Sequence, residues 1–353
     1  MNLKELSAQL GLSQTTVSRA LNGFPEVSEK TRKRVEAAAR AAKYRPSPSA
    51  AHLATGKTRV IGHVIPTTQH RMINPHFSDF LAGASEAYAE AGYDMLLRAA
   101  EVENEAAVYE DFVERKRVGA VVVHGPKLGD HRIELLKSLR MPFIVHGRTG
   151  EEDGSYPWLD VNNHGAFETA TDYLIGLGHR RIALINGLDE MTFAAQRKEG
   201  YYHALERAGL EPDPAIMFSA DMVEPYGYEA TLEVLAAPRK PTAILCASVL
   251  CAMGSVRALS EKGLRPGQDI SVMTFDDVLS FLQPTGHGPV NSDFMGSAFS
   301  GSAFTSMRSS IYDAGRRVGE ILINSIEGTT NIIEQEEWTA ELIEGRTTGP
   351  ATS

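Results

Sequence analysis

The sequence predicts an all-α helix-turn-helix head joined to an α/β body of two lobes with parallel sheets. Three observations carry this. The first 45 residues hold helix signals only. From residue 59 onward, short apolar runs alternate with amphipathic segments. Charge is split along the chain: residues 1–58 contain ten Lys and Arg against four Asp and Glu, a net +6, while the remaining 295 residues contain 25 against 41, a net −16. A cationic head on an anionic body fits a polyanion partner for the head alone, and it fits equally well a merely solvated basic face.

In the head, Leu3, Leu6 and Leu10 recur at helical spacing. Gly11 can take the positive φ of a tight turn. Ser13 is an N-cap for a second helix, Gln14 to Leu21, whose Val17 and Leu21 face inward. Asn22-Gly23 stops it. Ser28 opens a third helix to about Lys43, with Val35, Ala38 and Ala39 inward. Two short helices on a Gly turn, braced by a third, form the layout in which the second helix enters a DNA major groove. On its outer side stand Gln14, Thr15, Ser18 and Arg19. Gln pairs bidentately with adenine and Arg with guanine. Thr16, Asn22, Ser28 and Thr31 are short donors suited to phosphate oxygens. Any one of them alone reads as an ordinary cap or surface group; the spaced set does not.

The run Leu3-Lys4-Glu5-Leu6-Ser7, Gly11-Leu12-Ser13, Thr16-Val17-Ser18-Arg19 and Leu21-Asn22-Gly23 resembles the head of LacI/GalR-family bacterial transcription regulators. Val27-Ser28, Thr31-Arg32, Val35 and Tyr44-Arg45-Pro46 continue the likeness. The resemblance implies a head over 1–45 and a hinge linker over 46–58 that folds into a short helix on operator DNA. It also implies that Leu53 wedges into a minor-groove step, the alternative being a linker residue packed on the body.

In the body, apolar runs at Val60–Ile65, Met95–Leu97, Ala120–Val123, Phe143–Val145, Ile182–Ile185, Ala243–Cys246 and Val272–Phe275 read as strands. Helices are expected near 78–91, 105–116, 132–140, 164–177, 194–208, 226–236, 249–262 and 312–326. Alternation of this kind builds parallel sheets covered by helices, and so many units call for two lobes. Leu159-Asp160-Val161-Asn162-Asn163, Leu177-Gly178-His179-Arg180-Arg181, Arg197 with Gly200-Tyr201, and Phe275-Asp276-Asp277 extend the family resemblance over nearly the whole chain. It implies a core over 59–345 resembling periplasmic sugar-binding proteins. The chain would cross between lobes near 160–165 and again near 277–310, leaving a tail over 346–353.

Ligands of open parallel sheets sit off the carboxyl ends of strands. Asn74, His76 and Phe77 follow the first body strand, where Phe77 can stack on a sugar face and Asn74 can bond a hydroxyl. Arg148 ends the strand of His146-Gly147, and Arg197 opens a helix; each offers a fixed fork of donors. For Arg197 the competing reading is a salt bridge with Asp189 or Glu199. Asp276 follows Phe275 at a strand end as a hydroxyl acceptor, and Asp160 precedes the crossing. Positions matching Phe77, Arg197 and Asp276 line the cleft in the family. Asp277 and Arg180-Arg181 are expected in structural contacts.

Two departures from the family stand out. Val249 replaces an acid after Ser248, which leaves Ser248 as the remaining hydroxyl partner. An extra stretch, Thr285 to Ala303, is rich in Gly, Ser and Phe and reads equally as a lid or as an unstructured or strand-adding insertion.

No phosphate-binding loop, zinc motif or nucleophile elbow is present in the sequence. Cys246 and Cys251, in C-x4-C spacing, read as buried thiols of a reducing cytoplasm. His52, His63, His124, His179 and His203 read as solvated or satisfied. No apolar run reaches the ~20 residues of a membrane span. The sequence therefore predicts a cytoplasmic, nucleoid-associated, homodimeric regulator without cofactor, metal or catalytic residues. It would bind a palindromic operator and answer to a small-molecule effector, a mono- or disaccharide first. The other reading is a sugar receptor or sugar-processing enzyme that never meets DNA.

Overall fold

The computed structural model describes residues 1–44, 58–67, 75–149, 155–278, 304–329 and 332–352. Leu53, Asn74, His52, most of the hinge linker and the whole of the 285–303 stretch lie outside them.

The head is three helices: α1 (Leu3–Leu10), α2 (Gln14–Leu21) and α3 (Glu29–Ala41). Asn2 and Glu5 close a capping box on α1, and Gly11 turns out of it at φ +63°. Ser13 and Ser28 cap α2 and α3 through their hydroxyls. Leu6, Leu10, Val17, Ala20, Val35 and Ala39 form the core. Ala20, three residues after Val17, takes the inward place the sequence suggests for Leu21, which is only half-buried at the edge of the core.

The body holds two six-stranded sheets. The first has the order β11-β5-β4-β3-β1-β2. It contains β1 (Val60–Pro66), β2 (Asp94–Ala100), β3 (Ala120–His124), β4 (Phe143–His146), β5 (Trp158–Val161) and β11 (Gln335–Trp338). The second has the order β12-β10-β9-β8-β6-β7. It contains β6 (Ile182–Asn186), β7 (Met217–Ser219), β8 (Ala243–Cys246), β9 (Ser271–Phe275), β10 (Thr305–Arg308) and β12 (Glu341–Ile343). Among the named strands of the described residues, only β10 and β12 pair antiparallel. The central strands are buried throughout because helices cover both faces.

Those helices are α4 (Pro75–Ala91), α5 (Glu105–Glu114), α6 (His131–Ser138), α7 (Asn163–Gly176), α8 (Thr192–Arg207), α9 (Glu224–Ala236), α10 (Val249–Glu261) and α11 (Ile311–Glu327). The chain passes between the lobes after Val161, again between Arg308 and Ile311, and a third time between Trp338 and Glu341. Two passages are expected from the sequence. The third escapes it because β11 and β12 are short, edge-placed and largely polar.

The stretch expected as a tail is sewn to the second lobe. Thr347 accepts from the Thr305 and Val272 amides through its hydroxyl and carbonyl, and the Gly349 amide donates to Ser271. His179 is satisfied there by Thr242 and Ser271.

Candidate functional site

On the head, Gln14, Thr15 and Arg19 stand exposed on α2, with Thr16 and Ser18 half-buried beside them. The short polar residues also serve the fold. Thr16 meets Ser13 at 2.8 Å, Asn22 donates to the Ser18 carbonyl at 2.8 Å, and Ser28 meets Thr31 at 2.9 Å. Two of the basic side chains brace the head: Arg32 donates to the Phe24 carbonyl and Arg34 to that of Leu10.

Between the lobes lies a cavity of about 570 Å³. His76, Phe77, Asp160, Arg197, Ser248, Phe275 and Asp276 all line it. Arg197 is its buried centre. Its Nε donates to Asn163 at 2.8 Å and one terminal nitrogen to the Ala247 carbonyl at 2.7 Å. Its guanidinium lies 3.8 Å from the centre of the Phe275 ring, with Phe193 and Phe167 at 5.0 and 5.2 Å. Burial lowers its pKa to about 10, against the pull of Asp276 and Asp160. The expected alternative partner is elsewhere engaged, since Lys198 pairs with Asp189.

Asp276 sits just past β9 at φ +46°, a left-handed conformation that Asp tolerates better than most side chains. The Ser309 amide donates to its Oδ1 at 2.6 Å and the Ser309 hydroxyl reaches both oxygens. Asp160 accepts from the Val161 amide at 2.8 Å and from Asn163 at 3.3 Å. Burial pushes both carboxyls up to about 6. Ser248 caps α10 by accepting from the Leu250 amide, and Val249 is buried in the core of its lobe.

Arg148 is a correction. It is not among the lining residues; it reaches Asp160 at 3.1 Å from behind, pairs with Glu337 and lies over the Trp158 ring. Its partner Glu337 is supplied by β11, the strand that sequence patterning leaves unseen. Asp277, as expected, is structural, held by Arg308 and Ser306.

The first lobe adds an aromatic wall. Phe77 and Phe80 meet His124 edge-on at 4.8 and 5.0 Å, and Phe80 stacks on His146 at 4.4 Å. His124 lines the cleft and is also satisfied, by His63 at 2.9 Å, which in turn meets Tyr88. Its place at the carboxyl end of an apolar run was the available signal. Burial lowers the pKa of His63 to about 3 and of His76 and His146 to about 4, so these rings are neutral at physiological pH. Asn163, Phe193, Glu105 and Arg132 also line the cleft without having been singled out in the sequence.

The lobes touch at the cleft mouth. Thr192 donates its amide and hydroxyl to the Pro126 carbonyl, the Leu128 amide donates to Glu190, and Lys127 pairs with Glu190. Among the described residues there is no metal-ligand cluster and no helix long and apolar enough to cross a membrane.

Comparison with known proteins gives a consistent answer. Residues 2–47 match bacterial regulatory proteins of the lacI family, and residues 58–343 match periplasmic binding proteins and the sugar binding domain of the LacI family. The HTH-type transcriptional regulator AglR of Rhizobium meliloti is 42% identical over 99% of this chain and 95% of its own length. A transcriptional regulator CelR–cellobiose complex is 25% identical, with a TM-score of 0.70 over 98% of this chain and 99% of that one. The lac repressor dimer bound to operator and the anti-inducer ONPF shares the fold, at 23% identity and a TM-score of 0.76 over 99% of each chain.

Proposed function

The chain belongs to the LacI family of bacterial regulatory proteins, and from that premise we propose that it is a homodimeric repressor whose grip on a palindromic operator is set by a sugar in the interlobe cleft. It is a DNA-binding transcription regulator and not an enzyme. Residues 1–45 are the DNA-binding head, 46–58 the hinge, and 59–345 the effector and dimerisation core, to which the last residues adhere. It works in the cytoplasm at the nucleoid.

In this reading Gln14, Thr15, Ser18 and Arg19 read base edges, while Thr16, Asn22, Ser28 and Thr31 meet phosphates beside their capping bonds. Leu53 wedges the minor groove and Asn74 joins the cleft; both lie outside the described residues. The observation that carries the effector site is Arg197 set between Asp160 and Asp276 over Phe275, a donor and two acceptors beside an aromatic face. Hydroxyls that both donate and accept suit that set. Sugar binding shifts lobe closure, and with it the spacing of the two hinges, a coupling typically of about 1–3 kcal/mol. The full chain should retard a genomic fragment over competitor DNA, and one neutral sugar should change that affinity. Fragment-independent binding at every salt concentration would overturn the regulator mechanism, and indifference to all sugars would overturn the effector class.

A further inference from the structure

The cleft is longer than one sugar ring. In the first lobe its wall runs along the adjacent strands β5, β4, β3, β1 and β2: Asp160, His146, His124 and Pro66 stand at the ends of the first four, and Glu105 opens the helix after β2. The second lobe mirrors this along β10, β9, β8, β6 and β7, through Ser309, Asp276, Ser248, Gly187 and Asp221. Five strand ends span four gaps, roughly 19 Å at about 4.8 Å each. A pyranose with its hydroxyls covers well under that length.

Charged groups stand at both ends of the cleft. At the hinge end are Asp160, Arg197 and Asp276. At the far end Glu105 lies 3.5 Å from Arg132, which also forks onto Asp130 at 2.6 Å. Between them stand the rings of Phe77, His124, His146 and Phe193. Aromatic faces suit the C–H faces of sugar rings, and carboxylates suit their hydroxyls.

The charges disfavour an anionic ligand. Five carboxylates (Glu105, Asp130, Asp160, Asp221 and Asp276) and three cations line the cavity. Arg132 is paired with Asp130 and Glu105 and Lys127 with Glu190, while Arg197 donates to Asn163 and the Ala247 carbonyl and lies in the field of Asp160 and Asp276. A phosphate or uronate would add negative charge to a site with no surplus cation to meet it.

Taking the cleft as the effector site, we infer that the effector is an uncharged oligosaccharide of at least two rings, the first held at Arg197 and Asp276 and the next at a second subsite built on Glu105. Glu105 is 4% exposed and burial raises its pKa, so a hydroxyl donated to it relieves a poorly solvated carboxylate.

The test is calorimetric titration of the full chain. The probes are glucose and galactose; cellobiose, maltose, melibiose and raffinose; and glucose 6-phosphate and galacturonate. At least one neutral di- or trisaccharide should bind roughly tenfold or more tighter than its component monosaccharides. Glu105→Gln should erase most of that advantage while the variant still binds monosaccharide and operator. Glu105→Asp, which keeps the charge but shortens the side chain by one methylene, should do the same if the Gln variant fails to fold. Equal affinity for monosaccharides, preference for the phosphorylated or acidic sugar, or an unaltered ratio in both variants overturns the second subsite alone. Binding of no sugar overturns it together with the sugar reading on which it rests.

Discussion

Thr192 at the start of α8 donates twice, through its amide and its hydroxyl, to the carbonyl of Pro126 in the other lobe, at 3.1 and 3.0 Å. The acceptor loop is itself held in shape, because Arg132 donates to the His124 and Gly125 carbonyls and Asp130 accepts from the Lys127 amide. The two lobes thus meet through a preformed contact opposite the three crossing segments. Thr192→Val removes the hydroxyl bond and keeps the amide bond and the side-chain shape. A buried hydrogen bond contributes about 0.5–1.5 kcal/mol, so effector affinity should fall about two- to tenfold, chiefly through faster release. Stopped-flow release kinetics measure this; an unchanged off-rate would show that the contact plays no part in closure.

The paired aspartates make the cleft sensitive to pH. Asp160 and Asp276 titrate at about 6 in the fold, against an ordinary value of 3.8. The folded state then holds more protons than the unfolded one, so these groups lower stability as pH rises from about 4 through 6, by up to roughly 3 kcal/mol each. A sugar hydroxyl donating to either carboxylate favours its ionised form and lowers its pKa. Binding should therefore release protons, and affinity should rise between pH 5 and 7. Titrations in buffers of different ionisation heat measure the protons. Asp276→Asn should flatten the affinity profile, and proton uptake in place of release would contradict the assignment.

The legible parts of this molecule are those whose signal is local. The head is specified by caps and spacing within eight to thirteen residues, and the central strands by apolar runs bounded by turns. Phe275 and Asp276 were legible because they sit at a strand end; Arg197, expected to open a helix, lies in the second turn of α8, which starts at Thr192. What stayed hidden is non-local. Arg148 turns away because β11 arrives from over 180 residues later to offer Glu337. Glu105 gives no sign in sequence that the helix after an edge strand opens onto the same cavity as Asp276. Beyond ending an apolar run, His124 gives no sign in sequence of its place in the cleft, because only the sheet order brings it beside His146 and Phe77.

The α4–α11 pair in the first lobe crosses at two glycines. A β-carbon on Gly83 would fall on the Tyr312 carbonyl, and one on Gly315 on that of Phe80. Each backbone fills the other's missing side chain, so neither helix can withdraw alone. Gly83→Ala should cost about 1–3 kcal/mol or more and lower the unfolding midpoint by several degrees. Gly176→Ala is the contrast, since nothing lies within 4 Å of its β-carbon position. It should be neutral or slightly stabilising, as Ala is the better helix former. Differential scanning calorimetry of both variants decides; equal midpoints would mean the crossing relaxes freely.

On the head, Arg19 differs from its basic neighbours. Arg32 and Arg34 spend donors on the backbone of the head itself, whereas Arg19 stands exposed on the outer face of α2 between Gln14 and Asn22. A side chain with its fork open can pair bidentately with guanine, which discriminates between bases by about 1–3 kcal/mol. A phosphate contact from the same position would weaken all sequences alike. Arg19→Ala should therefore lower operator affinity about five- to 150-fold at fixed salt and relax preference at one base pair in each half-site, while sugar affinity stays unchanged. Binding to a library of single-base operator variants separates the two cases. A uniform loss across the library, with the preference at every position intact, would place Arg19 on the backbone and leave base readout to Gln14 and Thr15.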